Sequence, residues 1–434
     1  MLTLAALGVA VPVTAGIAAA AVVAGAVRKR HKPAKVSRGK TVIVGGGKMT
    51  KALQLARSFN DAGHRVILTE SAPYWMTAHR FSSAVHRFAI VPEPEDEAYA
   101  AALAELARDE EADLFVPVSS PVGSLFDAQA AAHLPTRCKT FHVAADTIGK
   151  LDDKHQFAET AAALGLAAPK SVRITDPAQV ASYDFSGETR QFILKSIRYD
   201  PVRRLDLTKL PLASAKKTAA YANSLPISRD NPWVMQEFIP GTEYCTHGAF
   251  RDGALTVHAC CESSAFQVNY AHLDIPEIEA WVRRYGAALE LTGQASFDFI
   301  RAADDGRYYA IECNPRTHSA ITMFHDHPGL AGAYLGDDKV GKTVVPLPSS
   351  RPTYWLAHEV WQLLRAFPSV DAMRARLAGI AHGKDAVLDA RDPLPFLMLH
   401  HWHIPLLLLR ALATGRDWLR IDFNIGKLVQ AGGD

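Results

Sequence analysis

Asp298, Glu312 and Asn314 are three oxygen-bearing side chains whose spacing could hold a hard cation. Two apolar-alternating runs, SFDFIRA and YYAIECN, flank Asp304-Asp305-Gly306, which is the signature of a β-hairpin. A hairpin centred on Asp305 puts Asp298 directly opposite Glu312. Strand alternation then sets Tyr308, Ala310, Glu312 and Asn314 on one face and Tyr309, Ile311 and Cys313 on the other, with Phe297, Phe299 and Ile311 backing the oxygens. Such a donor set suits Mg²⁺, which takes one or two carboxylates and completes its shell with substrate phosphates. The same residues would also suit an ordinary solvated hairpin face, so the rest of the chain has to decide.

The elements that must position this chemistry are short and separately weak. LDDKHQF places Lys154 at the start of a helix, with Asp152 as its N-cap. RQFILKSI ends an apolar strand with Lys195, and WVMQEFIPGTEYC runs a strand into Gln236, Glu237, Ile239 and Glu243. Singly, either lysine reads as a surface residue. Together, the order lysine, strand lysine, Gln-Glu strand, Asp, then Glu-x-Asn-Pro-Arg resembles the ATP-grasp superfamily.

That resemblance implies roles and cofactors: ATP with Mg²⁺, Mn²⁺ being an acceptable substitute. Lys154 and Lys195 would meet the nucleotide phosphates. Gln236 would address the adenine amino group, helped by the backbone at Glu237 and Ile239, and Glu243 would hold the ribose hydroxyls. Asp298, Glu312 and Asn314 would ligate the metal, and Arg316 would stabilise phosphate charge during transfer. Phosphoryl transfer asks for little beyond positioning and charge neutralisation, which this set supplies. One departure stands out. Family members often carry a glycine-rich lid after the second lysine, whereas KSIRYDPVRRLDLTKLP has no glycine and offers Arg198, Arg203 and Arg204 instead.

The implied fold combines α/β and α+β parts: a parallel α/β (pre-ATP-grasp) domain over 41–150 and an ATP-grasp domain of two lobes over 151–340. A C-terminal segment over 341–434 should pack on the body. TVIVGGG, KMTKALQLARSFNDAG and HRVILTES read as strand, helix, strand, which opens a parallel domain. Gly45-Gly46-Gly47 matches neither the dinucleotide fingerprint nor a Walker A loop. LFVPVSSPVGS ends a strand in Ser119 and Ser120, which read equally as ordinary turn residues and, as the resemblance implies, as helpers in binding an acceptor. Residues 1–27 hold no charge, and RKRHKPAK opens a basic linker over 28–40. A run this long can cross a bilayer, and positive charge after it predicts an N-out, C-in anchor on a cytoplasmic enzyme. The C-terminal run PFLMLHHWHIPLLLLRAL is broken by Pro405 and by His400, His401, His403 and Arg410, which argues against a span and leaves packing on the body, the favoured reading, or lying along a membrane surface. No acidic partner accompanies those histidines, so they are not read as a metal site.

A net charge of +2 gives no case for nucleic acid. Five scattered cysteines fit neither a zinc site nor a disulfide framework. Stretches such as SIRYDPVRRLDLTKLP, MQEFIPGTEYCTH, LTGQASFDFI and IECNPRTHSAITMF are similar to the mycosporine-glycine synthase family. The partners this implies are ATP, glycine and 4-deoxygadusol. The acceptor would lie beside Arg316, Thr317, His318 and Ser319, with His318 as the base for the amine. Two other readings stay open: a sibling ligase joining an amine to a true carboxylic acid, and a tethered, non-catalytic nucleotide-binding module. The oligomeric state is not legible.

Overall fold

Thr41–Val44 (β1) is an apolar run buried over Val42–Val44, as a strand covered on both faces must be. The computed structural model describes residues 2–27, 39–118, 123–198, 203, 206–263, 269–336 and 342–415. β1 pairs in parallel with Arg65–Ser71 (β2), which pairs with Arg87–Val91 (β3). On its other side β1 pairs with Leu114–Val116 (β4), followed by Lys139–Thr140 (β5), giving the order β3-β2-β1-β4-β5. The Thr50–Asp61 helix buries Leu53, Leu55, Ala56 and Phe59, the crossover expected between β1 and β2. The strand order reverses between β1 and β4, where open α/β sheets form a crevice. The glycine loop lies there for a steric reason. Gly46 has φ +67°, and a Cβ on it would sit 2.0 Å from the Val118 carbonyl oxygen.

Two antiparallel sheets carry the remaining chemistry. Ser171–Ile174 (β6), Phe192–Ser196 (β7) and Trp233–Glu237 (β8) form the order β6-β8-β7, with Lys195 opposite Val234 and Gln236 opposite Ile193. Gly241–Arg251 (β9), Ala254–Glu262 (β10), Gly293–Ala302 and Tyr308–Asn314 form a larger sheet. Between these last two pairs runs Asn269–Tyr270 (β11), so Gly293–Ala302 is β12 and Tyr308–Asn314 is β13, and the sheet order is β10-β9-β12-β13. Phe157, Trp281, Tyr285, Phe297 and Phe299 pack as one aromatic cluster behind it, with ring centroids 4.9 to 6.2 Å apart. This core makes β12 and β13 a rigid platform.

The hairpin register is the expected one at Asp298–Glu312 but not throughout. Ala310 pairs with Phe299 and Glu312 with Asp298, so Ile311 is an extra residue, a β-bulge. The bulge breaks the single face expected for Tyr308, Ala310, Glu312 and Asn314. Ala310 joins Phe297, Phe299 and Cys313 in the core, while Glu312 stays opposite Asp298. The cap also shifts by one. Asp153, not Asp152, accepts from the backbone N–H groups of His155 and Gln156 and starts the Lys154–Ala163 helix.

Thr353–Tyr354 (β14) and Lys384–Asp385 (β15) extend β11 into the order β11-β14-β15. Trp355 Nε1 donates to Thr50 Oγ1 at 3.1 Å, and Arg57 pairs with the buried Asp392 at 2.9 Å, joining the C-terminal segment to the first domain. At the other end, residues 2–27 do not form the single helix expected. Leu2–Val9 and Val11–Val27 are separate helices, and the spans Thr3–Val9 and Val11–Val23 meet at 50°. Pro12 has no N–H to return to the preceding turn, which accounts for the break. By length and apolarity, the Leu394–Thr414 helix and this bent pair are the segments among the described residues that could cross a membrane.

Candidate active site

Lys154 and Glu312 meet at 3.5 Å, linking the start of a helix to the end of the bulged strand. Lys195, Asp298 and Arg316 surround the same carboxylate. Burial opposes ionisation of Glu312, yet the charges of Lys154 and Lys195, a hydrogen bond from Asp298 and the charge of Arg316 hold it at about 2. Asp298 goes the other way. Burial and the neighbouring Glu312 push it well above the usual carboxylate range. Two facing carboxylates with one proton between them are what a divalent cation would displace, so the donor set fits a metal such as Mg²⁺. Burial also lowers Lys195 from its ordinary value.

Asn314 needs a rearrangement before it can join such a metal. Its Nδ2 donates to Asp298 Oδ2 at 3.3 Å, and its Oδ1 accepts from Arg316 Nη2 at 2.5 Å. The amide oxygen is therefore turned to the arginine. Gln236 is buried and donates from Nε2 to the Ile311 carbonyl at 3.0 Å, which leaves its Oε1 as the acceptor. The Glu237 side chain is engaged elsewhere, accepting from the Lys170 N–H at 3.1 Å and pairing with Arg190 at 3.4 Å. Ile239 is buried against Ala302 and Tyr309. Glu243 accepts from Ser263 Oγ at 3.1 Å, and burial raises its carboxyl above the usual range.

The loop after the hairpin is clamped from several sides. Lys51 Nζ donates to the Thr317 carbonyl at 2.7 Å, and Ser124 Oγ to the Pro315 carbonyl at 2.9 Å. Gln294, fully buried, accepts from Thr317 Oγ1 at 2.7 Å and from the Tyr334 hydroxyl at 2.8 Å, and donates to the Pro117 carbonyl at 3.1 Å. His247 Nδ1 accepts the His318 N–H at 3.3 Å. His318 itself caps Ser319–Phe324, its Nδ1 accepting from the Ala320 N–H at 3.1 Å. With Nδ1 accepting, any ring proton sits on Nε2. It can donate to an acceptor oxygen but is poorly set to take a proton from an amine, which departs from the base role expected. Ser119, Ser120 and Arg204 lie outside the described residues.

The sequence reading missed Lys51, His247, Gln294 and Tyr334. Cys245 and Cys261, read there only as scattered cysteines, are cross-strand partners whose sulfurs lie 3.4 Å apart. A hydrogen bond from Cys261 holds the Cys245 thiol well below its ordinary range, despite burial.

Solved structures place this architecture. N5-carboxyaminoimidazole synthetase from Staphylococcus aureus superposes with a TM-score of 0.54 at 13% identity, covering 78% of this chain and 88% of that one. An ADP complex of the PurK N5-carboxyaminoimidazole ribonucleotide synthetase gives 0.54 at 16%, covering 75% and 84%. The biotin carboxylase domain of Hydrogenobacter thermophilus 2-oxoglutarate carboxylase, solved with MgADP and bicarbonate, gives 0.53 at 13%, covering 70% and 71%. At such identities the likeness defines the fold, which is the ATP-grasp fold. No family model matches the sequence, and no curated protein does.

Proposed function

We propose that the chain is an ATP-dependent, ADP-forming ligase that makes a C–N bond, using Mg²⁺ or Mn²⁺. What supports the reading is Glu312, ionised between Lys154, Lys195 and Arg316 and facing Asp298, on a fold whose solved members hold ADP and MgADP. Lys154 and Lys195 bind the phosphates, and Arg316 stabilises the charge that moves during transfer. Gln236 Oε1 accepts from the adenine amino group, with backbone contacts at Glu237 and Ile239, and Glu243 holds the ribose. Asp298, Glu312 and, once released by Arg316, Asn314 hold the metal, which neutralises phosphate charge when bound.

For the acceptor we propose 4-deoxygadusol, with glycine as the amine and mycosporine-glycine, ADP and phosphate as products. The support is the sequence resemblance and the chemistry. The enol of a 1,3-diketone is a vinylogous carboxylate, so its phosphate is a vinylogous acyl phosphate that an amine can displace. Thr317 and Ser319 flank the acceptor side, and His318 holds an acceptor oxygen. The enzyme works on the cytoplasmic side, associated with the membrane through residues 1–27.

Oxygen tracing tests the chemistry. An ¹⁸O label in the reacting oxygen of deoxygadusol is expected in the released phosphate, and glycine alone is expected to release no ADP. Label retained in the organic product, or ADP released by glycine alone, moves phosphorylation to the amino acid's carboxylate and favours the sibling ligase.

A further inference from the structure

The Val11–Val27 helix holds no charged residue, and over residues 11–23 little of it is covered by protein. Of residues 11–23 only Thr14 and Ala18 are buried, one turn apart on a single line, and Ala21 is half-buried. Val13 and Val23 are 64% and 67% exposed. The buried line has a defined seat. Thr14 Oγ1 hydrogen-bonds His401 Nε2, while Leu4 and Leu7 of the preceding helix pack against the main core. His401 lies in the Leu394–Thr414 helix, which buries Ile404, Leu408 and Ala411 and exposes Trp402, Leu406, Leu409 and Leu412. Those four exposed positions recur every three or four residues, so they form one apolar stripe beginning beside the Thr14 contact.

We propose that this joint face rests in the interfacial layer of an anionic lipid bilayer, with the Val11–Val27 helix in the plane of the membrane. A helix that is apolar all round and exposed on most of its surface is not a water-facing element. An upright span fits the geometry poorly. Seventeen residues rise about 25 Å, against a hydrocarbon core of about 30 Å. Charge selects the occupant. Residues 28–40 carry seven Lys or Arg and no acidic residue, immediately after the apolar helix. A second copy docked on this face would bring two such basic segments together, whereas anionic headgroups attract them. Trp402 suits the headgroup boundary, where one end of the indole is wet. Among the described residues none of these belongs to the nucleotide cluster, so the inference stands apart from the ligase chemistry, although it rests on and deepens the proposed membrane association of residues 1–27.

Vesicle flotation of the full chain tests it. The protein is expected to float with vesicles of phosphatidylcholine and phosphatidylglycerol, and to bind phosphatidylcholine alone at least tenfold more weakly. Added salt should weaken the first binding. Leu406→Glu with Leu409→Glu should lower binding at least tenfold while the unfolding midpoint and nucleotide binding in solution stay unchanged. Should that variant misfold, Val13→Lys on the other helix gives the same readout. The native cysteines are all buried, so a fluorophore on Val13→Cys or Leu409→Cys reports depth. Both probes should be quenched by lipids brominated near the headgroup, and neither from the far side of the bilayer. Quenching of Val13→Cys from the far leaflet would establish a span and overturn the in-plane geometry. Equal binding to both vesicles, absence of flotation, loss of residues 1–27 from the mature chain, or a lipid-free dimer that shields both probes would each overturn the proposal.

Discussion

Gln236 donates its side-chain amide to the carbonyl of Ile311, the residue by which β13 exceeds β12. A bulge leaves a backbone group without its ladder partner, and a buried orphan of that kind costs about 1–3 kcal/mol. Here one glutamine satisfies it and so holds the turn of strand that aims Glu312 toward Lys154. The same fixed amide offers Oε1 to a nucleotide. Gln236→Leu is therefore expected to destabilise the ligand-free protein by about 1–3 kcal/mol and to weaken ADP binding more than tenfold. Denaturant unfolding without nucleotide checks it. A variant that loses ADP affinity at unchanged stability would assign Gln236 to base recognition alone.

Lys195 stands beside Lys154 under a desolvation that lowers its pKa. A cation kept there against its own solvation serves the ligand more than the fold. Lys195→Met is expected to leave thermal stability without ligand equal or higher, and to weaken ADP binding at least tenfold. Calorimetry with and without ADP separates the two effects, and a large fall in stability without ADP would make Lys195 a structural residue.

Asp127 gives a pH-dependent prediction in the first domain. It is buried, Tyr99 donates to its Oδ1, and its Oδ2 has no partner among the described residues. Burial raises its pKa from 3.8 to about 7. Between those values the folded state holds a proton that the unfolded chain has released, so stability falls as pH rises. About three units correspond to a loss on the order of 4 kcal/mol, complete above about pH 7. Asp127→Asn can still accept from Tyr99 and cannot titrate. Its stability should match the wild type near pH 4 and exceed it at pH 8, as read from urea melts across that range. A difference that does not change with pH would show that Asp127 keeps its ordinary pKa.

What could be read from the sequence was what repeats locally. The first strand, helix and strand followed from apolar spacing, and Asp298 opposite Glu312 followed from counting out from the Asp-Asp-Gly turn. The bulge could not be counted, because an extra residue at Ile311 is set by Gln236 far along the chain. Asp152 and Asp153 are equally good caps on paper, and only the helix phase chooses between them. In residues 1–27 the absence of charge outweighed Pro12, although a proline near the middle of an apolar run is itself a signal of a break.

Gln294 was the least legible residue and yields the last prediction. A glutamine inside an apolar strand advertises nothing, since its partners Pro117, Thr317 and Tyr334 lie far from it in the chain. Yet its single side chain ties the end of β4, which leads toward Ser119 and Ser120, to the loop that carries Arg316 and His318. In the proposed reaction those two loops bound the acceptor, while the nucleotide rests on β7, β8 and β13. Gln294→Leu removes three hydrogen bonds at once and leaves their buried partners unpaired, a loss of several kcal/mol in stability. Gln294→Glu is the gentler change in shape: its carboxyl still accepts from Thr317 and Tyr334, burial favours its protonated form, and a single O–H replaces the amide donor to Pro117. For Gln294→Glu we expect the acceptor KM to rise more than tenfold and the Kd for ADP to move less than threefold. Steady-state kinetics with the acceptor varied, set beside ADP calorimetry, supplies both numbers. Equal losses in the two would mean that Gln294 supports the fold as a whole and does not set the spacing of the acceptor loops.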